Sequence, residues 1–242
     1  MIEVEGLYKR YGAVPAVDGV SFVAPDGKVT GLVGANGAGK TTTLGMICGV
    51  VKPDAGTIRI DGAASATSID TRRRVGVLHD HKGLYSRLTA RENIRYFGQL
   101  HGLSGAALED RVQAVVSLLA LGSIADRPAA GFSQGERMKV ALARALVHEP
   151  GNLLLDEPTN GLDIPTVRTL RTLLADLRAR GTCIVFSSHV LEEVSALCDT
   201  VVMLARGRVV AAGRPGEICR GAGSASLDDA FMRLSNGEGG SE

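Results

Sequence analysis

The sequence contains no tryptophan, and aromatic residues make up only 4% of its 242 positions. Its 45% hydrophobic content is therefore mainly aliphatic, and it suffices to bury a sizeable core in one large domain or two small ones. No apolar run approaches the roughly 18 residues that would mark a membrane-spanning helix. The opening segment MIEVEGLYKRYG sets Glu3 and Glu5 against Lys9 and Arg10 and has no long apolar stretch, which does not fit a secretory signal. Neither sign of charge dominates. A formal net charge of +1 argues against a general nucleic-acid binder, which usually carries a basic excess. Cysteine is sparse: Cys48, Cys183, Cys198 and Cys219 stand far apart without paired-ligand spacing, and read as reduced, mostly buried thiols of a cytoplasmic protein. No internal repeat is present. Glycine, by contrast, is abundant at 31 residues.

Several of those glycines fall in GANGAGKTT, which satisfies G-x-x-x-x-G-K-S/T through Gly34, Gly39, Lys40 and Thr41, with Asn36, Gly37, Ala38 and Thr42 within and beside the loop. The preceding KVTGLVG reads as a buried strand, and the following segment carries Leu44, Ile47 and Cys48 at helical spacing. Strand, glycine loop and helix is the setting in which backbone N–H groups and a helix N-terminus hold phosphate oxygens. Lys40 then offers a point charge to the β- and γ-phosphates, and Thr41 offers a hydroxyl to Mg²⁺.

A second acidic segment, GNLLLDEPTNGLD, has a short apolar strand, Leu153 to Leu155, ending at Asp156. In parallel α/β sheets, ligands bind beyond those strand ends. Asp156 is there to hold Mg²⁺, directly or through water, and Glu157 to polarise an attacking water. In GTCIVFSSHVLEEV, another buried strand ends just before His189, where a neutral imidazole can donate a hydrogen bond to a γ-phosphate oxygen.

Taken together, GANGAGKTT, FSQGERMKVALARAL, LLLDEPTNGLD and VFSSHVLEEV follow the order and spacing of ATP-binding cassette (ABC) transporter ATPases. The resemblance covers residues 1–235 as a single nucleotide-binding domain. It implies an α/β fold: a P-loop NTPase core of mainly parallel sheet flanked by helices, with an antiparallel β layer and an inserted helical subdomain at about 83–134. Residues 236–242 read as a disordered tail. By the same resemblance, Tyr11 stacks on adenine and Asp163 belongs to the loop facing the opposite subunit. FSQGE resembles the signature loop but departs from its commonest form. Ser133 and Gly135 are kept to hold the γ-phosphate of an ATP on the other subunit, while Gln134 replaces a glycine and Glu136 a glutamine. Ser133 and Glu136 also form a capping-box pattern. A carboxylate at position 136 opposes a phosphate unless it points away.

The stretch VLHDHKGLY places His79, Asp80 and His81 side by side. Three adjacent residues rarely converge on one metal ion, and a polar loop is the simpler reading. In the resemblance, Asp80 falls where the family has a glutamine that contacts Mg²⁺ and the attacking water. Asp80 offers hard oxygen to the metal and no amide donor.

The antiparallel layer is expected from residues 1–27 and 56–62, and the core from 29–77 and 151–213. Residues 83–134 read as helical, with Thr89 and Glu92 as a capping box. Pro165 and Gly181 mark the start and end of another helix. GLYSRLTARENIRYFGQLHGL and the C-terminal helix resemble the exporter branch, the sodium-extrusion (NatA-like) and drug-export ATPases. The implied protein hydrolyses ATP with Mg²⁺. It pairs head to tail with a second ATPase subunit, most simply a homodimer, and powers export of Na⁺ or a drug-like, lipophilic compound through a separate membrane permease. It binds no nucleic acid and sits on the cytoplasmic face of the cell membrane. A soluble ABC-type ATPase in a non-transport process is the alternative. A P-loop kinase or GTPase is disfavoured by FSQGE and by the lack of an N-K-x-D guanine motif.

Overall fold

The computed structural model describes residues 1–64, 69–79 and 83–235. Asp80 and His81, and the expected tail at 236–242, lie outside the described residues.

Two sheets organise the chain. Strands β1 (Ile2–Tyr11) and β2 (Val14–Ala24) form an antiparallel hairpin. β3 (Val29–Val33) leaves for the second sheet, and β4 (Ala55–Ile60) and β5 (Ala63–Ala64) return to complete the first, in the order β2-β1-β4-β5. Ile2, Val4 and Leu7 are buried while Glu5 is exposed, as a sheet with one covered face requires. The second sheet adds β6 (Val75–Leu78), β7 (Asn152–Asp156), β8 (Cys183–Ser188), β9 (Thr200–Ala205) and β10 (Arg208–Gly213), in the order β10-β9-β3-β8-β7-β6. Its pairs from β9 to β6 are parallel, and only β10 joins antiparallel at the edge. β3, β7 and β8 are buried along their whole length, which explains why they read as apolar runs rather than alternating patterns.

Helices cover the parallel sheet. α1 (Lys40–Ile47) follows β3, and a single turn, α2 (Ile69–Arg72), precedes β6. α3 (Ala90–Leu100), α4 (Gly105–Leu118) and α5 (Gln134–Leu146) form the helical insertion. α4 buries Leu108, Val112, Val115 and Val116, the i, i+4, i+7, i+8 stripe of an amphipathic helix. α6 (Ile164–Ala179) carries Pro165 in its first turn, and Gly181 takes φ +92° just beyond its end. α7 (Leu191–Leu197), α8 (Pro215–Gly221) and α9 (Leu227–Ser235) are the last helices among the described residues. One apolar cluster joins α3–α5 and α6 to the parallel sheet, and a second fills the space between the two sheets.

The expectation of helix throughout 83–134 needs correction. Helix begins only at Ala90, and residues 119–133 contain just two short 3₁₀ turns. Before Ala90, a buried polar side chain takes the place of helical partners. Asn93 accepts the Tyr85 N–H at 3.0 Å and donates to the carbonyls of Tyr85, Leu88 and Thr89. These bonds supply the backbone of 85–89 with partners that a helix would otherwise provide. The Thr89–Glu92 capping box is present, with Glu92 N donating to Thr89 Oγ1 and Thr89 N to Glu92 Oε2. Cys183 and Cys198 are buried, whereas Cys48 and Cys219 are only half-buried, and all four are free.

Candidate active site

The glycine loop turns from β3 into α1. Gly39 caps α1 at φ +103° with no side-chain cap, so the first N–H groups of the helix face the loop's concavity. A Cβ at Gly39 would stand 2.5 Å from the Ala16 carbonyl oxygen, so only glycine fits. Gly37, at φ +81°, faces open space with no atom within 4 Å of an added Cβ. Ala38 is buried behind the loop, where its carbonyl accepts the Gly207 N–H at 3.2 Å.

Lys40 is buried. Its Nζ donates to the Gly34 carbonyl at 2.8 Å and the Ala35 carbonyl at 3.4 Å, and lies 3.3 Å from Glu157 Oε1. Thr41 Oγ1 approaches Asp156 Oδ1 at 3.4 Å. The same Asp156 oxygen accepts a 2.6 Å bond from Ser187. Glu157 takes φ +47°, the left-handed region that a long side chain rarely adopts. Its Oε2 lies 2.8 Å from His189 Nδ1. A cleft of about 400 Å³ is lined by Tyr11, Ala16, Asn36, Gly37, Gly39, Lys40, Thr41, Thr42, Glu157, Asn160 and His189. Tyr11 is half exposed on its rim, with the Lys9 ammonium 5.8 Å from the ring centroid. A glycine loop at a helix start, with a carboxylate, an ammonium and an imidazole converging on one mouth, is an arrangement suited to holding a nucleotide and handling a proton beside it.

Ser133, Gly135 and Asp163 do not line that cleft. They gather instead at the starts of α5 and α6. Asp163 caps α6 by accepting the Thr166 N–H at 3.0 Å, and Thr166 Oγ1 would stand 3.1 Å from a Cβ on Gly135. Ser133 caps α5 in a complete capping box. The Glu136 carboxylate is turned onto the Ser133 N–H at 2.7 Å and toward Arg127 at 3.5 Å. That N–H bond holds the Glu136 carboxyl below its ordinary value, so its charge stays at the mouth of α5.

Three contributors escape sequence reasoning. Asn160 lines the cleft, and Ser187 bridges Asp156 and Glu157 from behind. Thr159 donates a 2.6 Å bond to Glu193 Oε2 on α7. None carries a local pattern of its own; each matters because of what another strand or helix brings beside it.

The comparisons with known proteins agree with this geometry. The ABC transporter family model matches residues 17–160. The chain is 41% identical over 221 residues to the ABC transporter ATP-binding protein NatA of Bacillus subtilis (strain 168), covering 90% of each. It is 39% identical over 219 residues to the Nod factor export ATP-binding protein I of Ralstonia nicotianae, covering 90% of this chain and 68% of that protein. A solved ATP-binding subunit of an ABC transporter superposes with a TM-score of 0.88 at 34% identity, over 97% of this chain and 99% of that one. A dimeric ATP-binding cassette in a post-hydrolysis state with ADP and Pi superposes with a TM-score of 0.81 at 25% identity, over 88% of this chain and 98% of that one. None of these favours the non-transport alternative. Among the described residues no helix is long and apolar enough to cross a membrane. The chain belongs to the ABC transporter family, as an ATP-binding subunit that hydrolyses ATP.

Proposed function

We propose that this chain is the motor of an exporter, hydrolysing Mg²⁺-bound ATP at the cleft of Lys40, Glu157 and His189, with Asp156 buried behind Thr41. The observation that carries the reading is the Glu157 carboxylate, held between Lys40 Nζ at 3.3 Å and His189 Nδ1 at 2.8 Å directly after Asp156. Thr41 Oγ1 and Asp156 Oδ1, only 3.4 Å apart beside the phosphate cradle, are the hard oxygen donors that a small divalent cation requires. Mg²⁺ bound there neutralises charge on the phosphate oxygens.

The chain's own groups do the rest. The loop N–H groups around Asn36, Gly37, Ala38 and Gly39 receive the β-phosphate, with Gly34 as the turn and Thr42 beside it. Lys40 leaves the Gly34 and Ala35 carbonyls to pair with the β- and γ-phosphates. Tyr11 stacks on the adenine from the rim. Glu157 accepts a proton from the attacking water as it adds to the γ-phosphorus, and ADP oxygen leaves. His189 donates from its ring to a γ-phosphate oxygen. By its position in the resemblance, Asp80 would offer Mg²⁺ a further carboxylate, directly or through water.

Because Ser133, Gly135 and Asp163 stand outside their own cleft, they are best used by a second copy placed head to tail. The dimeric cassette among the related structures supports that pairing. The pore is a separate membrane permease engaged from the cytoplasmic face. The export direction is supported by the resemblance of residues 83–103 to the exporter branch and by the export role in the name of the Ralstonia relative. The cargo class on that reading is Na⁺ or a lipophilic, drug-like compound. The deciding experiment is Glu157→Gln. ATP affinity is retained, ATP-dependent dimerisation strengthens, and turnover falls by about 10²–10⁴-fold, the usual worth of a general base. A Glu157→Gln protein with the wild-type rate removes Glu157 from the mechanism.

A further inference from the structure

Ser187 sits fully buried near the carboxyl end of β8, and it does not line the cleft. It is the register partner of Asp156 across the β7–β8 pair. Its hydroxyl makes two bonds at once. The O–H donates to Asp156 Oδ1 at 2.6 Å, and the oxygen accepts the Glu157 N–H at 3.0 Å. A serine hydroxyl has one donor and two acceptor lone pairs, so both bonds are compatible. An alanine would leave the Glu157 N–H and one lone pair of a buried carboxylate without these partners.

The second bond falls where the backbone is least comfortable. Glu157, at φ +47°, has the left-handed conformation that costs free energy for any residue with a Cβ, and such strain persists only when surroundings over-determine it. The next residues close a turn, with the Asn160 N–H on the Glu157 carbonyl at 3.1 Å. The far side of that turn is tied to α7 by the bond from Thr159 Oγ1 to Glu193 Oε2. The β8–α7 segment therefore grips the turn through Ser187 at its beginning and Glu193 at its end. His189, between them, faces the Glu157 carboxylate.

We propose that Ser187 is a positioning residue for ATP hydrolysis: by holding the Glu157 N–H and the Asp156 carboxylate together, it keeps Glu157 in its left-handed conformation with the carboxylate aimed into the cleft. The proposal rests on the reading of Asp156 and Glu157 given above. It differs from that reading in placing the control of Glu157 on the neighbouring strand rather than on the cleft.

The test uses the full chain carrying Ser187→Ala, Ser187→Cys or Ser187→Thr, with Glu157→Gln as reference. Ser187→Ala should lower kcat by about 10–100-fold, the scale of a misplaced reacting group. The affinity for ATP without Mg²⁺ should stay within about threefold of wild type, since the glycine loop and Lys40 are untouched. Ser187→Thr keeps the hydroxyl and should recover most of the rate. Ser187→Cys keeps the volume with a weaker donor, and it carries the test if the alanine variant does not fold. In the Glu157→Gln background, Ser187→Ala should change the single-turnover rate by less than about twofold, because its effect runs through the missing carboxylate. A crystal structure of the alanine or cysteine variant should show Glu157 leaving the left-handed region. A folded Ser187→Ala or Ser187→Cys protein with wild-type kcat overturns the proposal. So does a Ser187→Thr protein as slow as Ser187→Ala, or a variant structure with Glu157 unmoved. A normal rate for Glu157→Gln itself instead removes the underlying reading.

Discussion

His189 Nδ1 and Glu157 Oε2 are 2.8 Å apart, and this contact constrains what the imidazole can do. A carboxylate only accepts, so the ring must donate from Nδ1. In a neutral ring Nε2 is then an acceptor and cannot also donate to a phosphate. For His189 to serve the γ-phosphate as a neutral donor, nucleotide must break the contact with Glu157 and free that carboxylate for water. With a non-hydrolysable ATP analogue, ¹⁵N NMR of His189 should report a change in the hydrogen bond at Nδ1 and a donor at the ring nitrogen facing the phosphate. Unchanged ring signals on nucleotide binding count against the exchange. His189→Ala should lower kcat by about 10²–10³-fold, the worth of one transition-state donor.

Lys40 bonds two loop carbonyls in this state, so its removal takes those bonds from the loop as well as a charge from the phosphates. Lys40→Ala is expected to weaken ATP binding by about 10–100-fold, as the loss of a charge-assisted bond implies, with a lowered Tm. Equilibrium binding of a fluorescent ATP analogue measures it. Unaltered affinity removes Lys40 from phosphate binding.

Gly39→Ala probes the loop itself. The new Cβ would meet the Ala16 carbonyl oxygen at 2.5 Å, in a backbone at φ +103°. The left-handed penalty alone is about 1–2 kcal/mol, and the contact adds to it. Thermal unfolding should show a lower Tm, and ATP binding should fall together with it. A stable, fully binding Gly39→Ala protein is incompatible with the loop geometry described.

Acid sensitivity should come from a different place. His101 and His148 stack with ring centroids 3.5 Å apart and planes at 5°. His148 Nε2 donates to the Val75 carbonyl at 3.2 Å, while its Nδ1 is buried without a partner among the described residues. Burial, with His101 beside it, pushes the His148 pKa down to about 4 from its ordinary 6.5. Burial and Arg73 lower His101 as well. The folded protein thus resists protonation that the unfolded chain accepts. Stability is intact above about pH 6.5 and is lost as pH falls toward about 4. The loss from His148 is of the order of 2–3 kcal/mol. His148→Gln keeps a donor for Val75 and should shrink the Tm difference between pH 7.5 and pH 4.5 by about 5 °C or more. Equal acid sensitivity in the variant would place the effect elsewhere.

The segments that build the cleft were legible because each is contiguous. The glycine loop from Gly34 to Thr42 carries its own strand and helix signals, and Asp156, Glu157 and His189 stand at the ends of apolar strands. The capping boxes at Thr89–Glu92 and Ser133–Glu136 were equally readable, since a cap is settled within four residues of chain. The helical reading of residues 83–134 did not separate off the irregular stretch before that first cap, because its partner, the Asn93 side chain, lies several residues further along the chain.

What the sequence determined by itself was the set of backbone conformations and chemical groups: where strands end, where glycine must turn, and which carboxylates and imidazole stand at the rim. What only tertiary structure decided was which of them meet. The parallel register that sets Asp156 against Ser187, the bond from Thr159 to Glu193, and the stack of His101 on His148 join residues 31, 34 and 47 positions apart. Periodicity says which face of a strand or helix is buried. It does not say which neighbour lies against that face, because that choice follows from how crossover helices and core side chains pack together.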